Sequence, residues 1–208
     1  MLEFVLPLAT LAIVQLMAVI SPGQSFLFVA RTAMVEGKSA ALVATLGLGL
    51  GSCIWAVAAM LGMAIVLQQA AWAYLLLKVA GGVYLIYLGA IVWWHASDTV
   101  EIGDGEPGEV RWSTALRRGL LIQIANPKVV VFYGSIFFAL LPSQAPLWVM
   151  IAAVPIVFAN EVTWYAIVSV LFSARQSRSA YMRFKPAIDR MVAGILGMIG
   201  AKLIVDAR

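Results

Sequence analysis

The chain alternates long apolar runs with short polar breaks. Six runs are long enough to cross about 30 Å of hydrocarbon at the 1.5 Å rise per residue of a helix. They cover residues 6–30, 39–67, 70–94, 117–141, 147–172 and 187–205. Lipid offers no partner for free backbone groups, and the runs do not alternate as barrel strands do. The pattern therefore predicts an all-α membrane protein with six transmembrane helices.

Lys and Arg residues concentrate in every second break between the runs. The first, third and fifth loops carry them, whereas the second and fourth loops have none. The basic residues at these loops are Arg31, Lys38, Arg111, Arg117, Arg118, Arg175, Arg178, Arg183, Lys185 and Arg190. Short loops rich in Lys and Arg remain in the cytoplasm. We therefore expect loops one, three and five to be cytoplasmic and both termini to be periplasmic.

The third loop, residues 98–116, divides the chain into two halves. It is rich in Asp, Glu and Gly and is predicted to be an acidic cytoplasmic linker between residues 1–97 and residues 117–208. Each half has three apolar runs, and three is an odd number. If the halves are related, the second must therefore have the opposite orientation in the membrane. The sequence predicts two inverted three-helix repeats.

A proline interrupts the first run of each half at the same depth. Pro22 lies nine residues before Arg31, and Pro127 lies nine residues after Arg118. Helical rise places both about 14 Å from the cytoplasmic edge, near the middle of the bilayer. Proline removes a helical hydrogen bond, so both helices should be kinked or broken there. The freed backbone groups favour a shared binding cavity over the alternative of two structural kinks.

The composition narrows the class of protein. Apolar residues make up 63% of the chain and charged residues 12%, with a mean hydropathy of +0.97. Soluble domains average about 25% charged residues, so a soluble fold is excluded. One cysteine, Cys53, excludes a disulfide-stapled module and a thiol–disulfide carrier. The formal charge of +4 is spread between the apolar runs, which does not indicate a nucleic-acid partner.

Polar residues inside the predicted spans are the candidate functional groups. Glu161 is the acidic residue deepest in the membrane, and a carboxylate there must be neutral or hold a cation. This requirement suits a proton-coupling group, with Lys128 as a candidate partner. Lys78 is a second candidate cation, but it could equally extend to the outer interface. The predicted substrate-binding residues are Ser21, Pro22, Gly23, Gln24, Asn126, Pro127, Lys128, Asn160, Trp55 and Trp164.

Two motifs carry a resemblance to a known family. Ser21-Pro22-Gly23, Asn126-Pro127-Lys128, the length of about 200 residues and the three-plus-three layout resemble the lysine-exporter (LysE/RhtB-type) family of amino-acid translocators. In that family the first motif usually continues with Pro and an acidic or amide residue, whereas Gln24 and Ser25 follow Gly23 here. The resemblance implies efflux of an amino acid or a close derivative across a bacterial inner membrane. It also implies coupling to the proton motive force, without ATP or another cofactor.

One alternative function stays open, and other classes of function have less support from the sequence. A passive channel, or a transporter for another small solute, is the alternative function. An enzyme is not expected, because the single histidine, His95, sits at the end of the third run. No Gly-x4-Gly-Lys-Ser/Thr phosphate loop occurs, and the acidic linker lacks the ligand spacing of a calcium loop. We therefore expect no catalytic residues, metal or cofactor; the partners are a small-molecule substrate, protons and lipid.

Glycines recur in the second and sixth runs. They are Gly47, Gly49, Gly51, Gly194, Gly197 and Gly200. Small residues let helix backbones approach closely in membranes. Close packing is therefore the preferred interpretation over a path for substrate, and a homo-oligomer through such faces stays open.

Overall fold

The computed structural model describes residues 4–69, 71–98, 111–141 and 145–205, with backbone alone at 64–69, 71–74, 77–78 and 175–180. Within them the fold is all-α, with eight helices and no strand. The helices are α1 (Val5–Ile20), α2 (Gln24–Val35), α3 (Lys38–Gln69), α4 (Ala71–Trp94), α5 (Trp112–Ile124), α6 (Pro127–Leu140), α7 (Leu147–Ser173) and α8 (Arg175–Val205). The side chain of Lys78 and most of the predicted acidic linker lie outside the described residues.

The first and fourth apolar runs are each broken into two helices. α1 and α2 meet at an angle of 57°, and α5 and α6 at 60°. Pro22 lies in the first break, and Pro127 is the first residue of α6. Proline is well tolerated at a helix start, because the N–H it lacks would have no helical partner there. The breaks predicted from the two prolines are confirmed.

Length and composition identify the helices that can cross a bilayer. Lys38–Met63 of α3 and Leu147–Ser173 of α7 are each long and apolar enough alone, and each bent pair would add one more span. The outward surface of the molecule is apolar: Leu61, Ile151 and Met198 are more than 60% exposed. Exposed apolar patches of this kind are costly in water but not in lipid. The chain is a multi-pass membrane protein, and the number six for its spans stays a prediction.

Two boundaries differ from those that the hydropathy pattern predicts. The charged stretch assigned to the fifth loop is helical, so the run at 187–205 is the second part of α8. Likewise α5 begins at Trp112, before residue 117, where the second repeat was expected to start. Hydropathy locates the edge of the lipid and not the end of a helix. Arg, Gln, Met and Lys are good helix formers, and they extend α8 beyond the apolar stretch.

Glycines bring the central helices into close contact. A Cβ at Gly47 would overlap the α5 backbone at Leu116, and one at Gly119 would overlap the α3 backbone at Ala44. Gly200 makes the same kind of approach to α4, because a Cβ there would lie 2.5 Å from the carbonyl oxygen of Gly82. Gly49 and Gly51 likewise contact α7 and α5. A Cβ at Gly194 or Gly197 would meet no described atom within 4 Å, yet the Gly197 backbone nitrogen would lie 3.3 Å from a Cβ at Gly89 of α4. The packing prediction is therefore unsupported within this chain only for Gly194.

Candidate functional site

The two helix breaks meet around one cavity in the middle of the bundle. Its volume is about 30 Å³, room for roughly two water molecules. The polar residues that line it are Ser21, Gln24, Ser25, Gln123, Asn126, Lys128, Tyr133, Glu161 and Tyr165, together with the backbone of Gly23. The cavity therefore takes residues from the start of α2, the end of α5, the start of α6 and the middle of α7.

Glu161 lies in this cavity and is held by two amide groups. The carboxylate is 2% exposed. Gln15 donates its Nε2–H to Oε2 at 3.2 Å, and Gln123 donates its Nε2–H to Oε1 at 2.5 Å. Among the described residues, ion pairs join other partners, Arg118 to Glu36 and Lys185 to Asp189. Neutral donors from both halves of the chain thus satisfy Glu161.

The hydrogen bonds continue from Glu161 in two directions. On one side Asn160 donates to the Gln15 side-chain oxygen at 2.6 Å. On the other side Ser25 donates its hydroxyl to the Gln123 oxygen at 2.6 Å, and Asn126 donates to that hydroxyl oxygen at 3.0 Å. Because each amide both donates and accepts, the hydrogen bonds through Gln123 connect Glu161 to Ser25 and Asn126 at the two helix breaks.

Lys128 binds the end of α1. Its ammonium donates to the carbonyl oxygens of Ala18 at 2.9 Å and Ser21 at 3.0 Å. The last carbonyls of a helix have no helical donor and form the negative end of its dipole, so a cation is favourable there. The ammonium is thus directed at protein carbonyls inside the molecule.

Asn126 and Gly23 begin the second helix of each bent pair. The Asn126 side chain accepts a hydrogen bond from the Lys128 backbone N–H at 3.0 Å, which is the N-cap of α6. Gly23 stands at the same place before α2 and offers no side-chain cap. The first backbone N–H groups of α2 therefore lack a side-chain acceptor and lie beside the cavity. Helix N-termini of this kind attract anions.

The other predicted site residues lie around the cavity but do not line it. Trp55 donates its indole N–H to the Ile124 carbonyl oxygen at 3.2 Å and so caps the end of α5. Trp164 packs against the cluster around α2, and its indole N–H has no hydrogen-bond partner among the described residues. Asn160 is linked to Glu161 by two hydrogen bonds, through the side chain of Gln15. Pro22 lines a separate cavity, described below, and Pro127 serves as the start of α6.

Four residues that line the cavity, and one that hydrogen-bonds to Glu161 without lining it, are absent from the set that the sequence predicts. They are Gln15, Ser25, Gln123, Tyr133 and Tyr165. Gln15 and Gln123 each carry a signal, because each is an amide flanked by apolar residues inside an apolar run, seven residues before Pro22 and four before Pro127. A polar side chain at such depth is expensive unless it has partners. The two tyrosines carry no such signal, since aromatic residues are common throughout the runs.

The part of the chain that the structure describes holds no group of three His, Cys, Asp or Glu side chains placed to bind a metal ion.

The chain is similar to known proteins over nearly its whole length. The profile of the family described as "LysE type translocator" matches residues 16–207. The threonine efflux protein of Escherichia coli (strain K12) is 29% identical over 200 residues, which are 95% of this chain and 97% of the relative. The leucine efflux protein of Enterobacter sp. (strain 638) is 25% identical over 187 residues, 87% and 85% of the two chains. No solved structure matches the chain.

Proposed function

The chain belongs to the LysE type translocator family, and from this premise we propose that it is a secondary active exporter of an amino acid or amino-acid derivative. The export would cross a bacterial inner membrane and use the entry of protons. The observation that carries the proposal is the buried Glu161 in a cavity between two helix breaks. Relatives named for threonine and leucine efflux support the substrate class.

We further propose that six spans form two inverted repeats. Two features support this arrangement. The bent pairs α1–α2 and α5–α6, which would be equivalent, have nearly the same bend, 57° and 60°. The helices that would be equivalent in the two halves also pack on each other, α3 on α7 and α4 on α8. In such transporters the substrate site lies at the repeat interface near the middle of the membrane.

The cavity has groups for both ends of an amino acid. The start of α2 favours the substrate carboxylate, because no side chain caps its first N–H groups and its first residues line the cavity. At the start of α6, by contrast, Pro127 has no N–H and Asn126 already caps the Lys128 N–H. The side-chain oxygens of Ser25, Gln123 and Asn126 are acceptors for the ammonium group. Gln24 and Ser25 stand where the family motif usually has other residues. We propose that this end of the site selects the side chain of the substrate.

Glu161 is proposed to carry the coupled proton. An ionised carboxylate at this depth needs a cation nearby, either the substrate ammonium or Lys128, whereas the protonated form does not. Protonation from the periplasm would therefore release the substrate, and loss of the proton to the cytoplasm would prepare the site for the next one. The amides of Gln15 and Gln123 hold the carboxylate in place between these states.

The small volume of the cavity indicates that the helix breaks must move for substrate to enter. About 30 Å³ is much less than an amino acid requires, and small-molecule sites are usually about 300 Å³ or larger. The two bends, each a short break between two helices, are the natural hinges. Alternating access then requires α2 or α6 to tilt about its break.

The substrate can be identified by exchange in inverted membrane vesicles. Vesicles loaded with one unlabelled amino acid are placed in the same labelled compound, and each amino acid is screened in turn, beginning with threonine and leucine. We expect rapid exchange of at least one amino acid or derivative, and none in vesicles without the protein. Absence of exchange for the whole set would overturn the proposed substrate class.

A further inference from the structure

A second cavity lies next to the first, on the other side of the α1–α2 break. Its volume is about 260 Å³, and Ser21 lines both cavities. The other residues that line it are Pro22, Ile91, Val92, His95, Lys185 and Asp189. In the proposed topology the end of α4 and the start of α8 face the cytoplasm. The second cavity would thus lie between the cytoplasm and the central site.

Asp189 is the feature of this cavity that packing alone does not explain. It is 1% exposed, and one of its oxygens, Oδ2, pairs with the Lys185 ammonium at 2.8 Å. The other oxygen, Oδ1, is buried and has no hydrogen-bond partner among the described residues. A buried carboxylate oxygen without a donor is costly, so in a cavity it is a place where a bound ligand or a water molecule would donate a hydrogen bond.

Lys185 cannot satisfy this oxygen as well. Its ammonium has three N–H groups, and they serve Asp189 and the carbonyl oxygens of His95 and Ala96, both at 3.2 Å. Those carbonyls end α4, where a cation is favourable. Burial, and to a smaller extent the negative charge of Asp189, raises the pKa of the Tyr181 phenol. Its hydroxyl also has no described partner.

We propose that this cavity is an access site in which Asp189 Oδ1 binds the ammonium group of the exported amino acid before it passes Ser21 and Pro22 to the central cavity. The chemistry is a charge-assisted hydrogen bond from a primary ammonium to a carboxylate in a nearly dry site. The volume suits a small amino acid better than the central cavity does. This inference rests on the proposed function and names a second binding step on the cytoplasmic side.

The test compares transport from the two faces of the membrane. In inverted vesicles the cytoplasmic face is outside, so uptake of labelled threonine, or of whichever amino acid the exchange screen identifies, reports the access site. Asp189→Asn should raise the cytoplasmic KM roughly tenfold or more. In right-side-out vesicles the KM for exchange from the periplasmic face should stay at the parental value.

A double variant separates ligand binding from charge balance. Asp189→Asn alone leaves Lys185 buried without its counter-charge, which destabilises the protein. Lys185→Gln combined with Asp189→Asn removes both charges at similar volume. If Asp189 only balances Lys185, the double variant should recover the parental cytoplasmic KM, and the proposal is overturned. If Asp189 binds ammonium, the KM stays raised.

A cysteine probe tests the same claim with Asp189 intact. Ile91→Cys, in a chain with Cys53→Ala, places a thiol at the wall of the access site. A membrane-impermeant thiol reagent applied to the cytoplasmic face should label it, and threonine should protect it. The analogue 2,3-dihydroxybutyrate, in which a hydroxyl replaces the ammonium, should protect at least tenfold less well. Equal protection by both compounds would contradict the proposal. Failure of the parental protein to exchange any amino acid would instead overturn the proposed function.

Discussion

At the scale of single residues, the proposed proton coupling depends on one carboxylate and on the neutral groups that hold it. Glu161 is the deepest acidic residue, and hydropathy alone marks it as a functional candidate. Its direct partners, Gln15 and Gln123, could be predicted only as isolated amides, because their contacts join residues 146 and 38 positions apart. Trp55 and Trp164 were predicted to bind substrate, yet a residue's position along the chain does not decide which way its indole points.

Glu161→Gln tests the proton-coupling role at nearly constant volume. The amide keeps an acceptor oxygen but cannot change its charge. We expect accumulation driven by a pH gradient to be lost, while exchange continues with a raised substrate KM, because the neutral amide resembles the protonated form that releases substrate. Glu36→Gln is the matched control, because Glu36 pairs with Arg118 at the surface, where an ion pair contributes little. Gradient-driven accumulation by Glu161→Gln at the parental level would mean that another group carries the proton.

At the scale of helices, the sequence predicted the breaks better than the boundaries. A proline and its flanking polar residue act locally, so Pro22 and Pro127 were enough to locate both bends. The start of α8 at Arg175 was not predictable from hydropathy, because a helix continues into water when its residues favour it. The close approach of Gly47 and Gly119 depends on which faces meet, which no single run of sequence contains.

The two breaks should be reached by water and by substrate. Cysteines at Ser21 and Asn126, each in a chain with Cys53→Ala, should react with small water-soluble thiol reagents, and bound substrate should slow the reaction. Ala153→Cys is the control, because Ala153 is 0% exposed in the apolar core and should be inert. If both cysteines are as inert as the control in an active carrier, the bends are structural kinks.

The α3–α5 contact should be sensitive to any added side chain. Gly47→Val forces the α5 backbone away and should cost about 1–3 kcal/mol, the usual penalty for overpacking. Gly62→Val in the same helix is the matched control, because a Cβ there meets no described atom within 4 Å. Thermal unfolding of the detergent-solubilised protein should show a lower Tm for Gly47→Val alone. Equal Tm values for the two variants would contradict the packing described here.

At the scale of the whole molecule, orientation follows from the distribution of Lys and Arg. Both ends of the chain are expected on the periplasmic side. An alkaline phosphatase fused after Arg208 should therefore be active, whereas a reporter that works only in the cytoplasm should be silent at the same position. Fusions after Lys38, in the first loop, should give the reverse result. Activity of the cytoplasmic reporter after Arg208 would overturn the topology with six spans and both ends outside.

The family, the two helix breaks and Glu161 all support the proposal that proton entry drives amino-acid export. The most direct measurement is accumulation of the exchanged amino acid in inverted vesicles with an acidic interior and no membrane potential. We predict that the amino-acid concentration inside the vesicles rises to several times the concentration outside. A protonophore should make the two concentrations equal. If the amino acid only equilibrates, with the same final level with and without the pH gradient, the chain is a passive channel and the proposal is wrong.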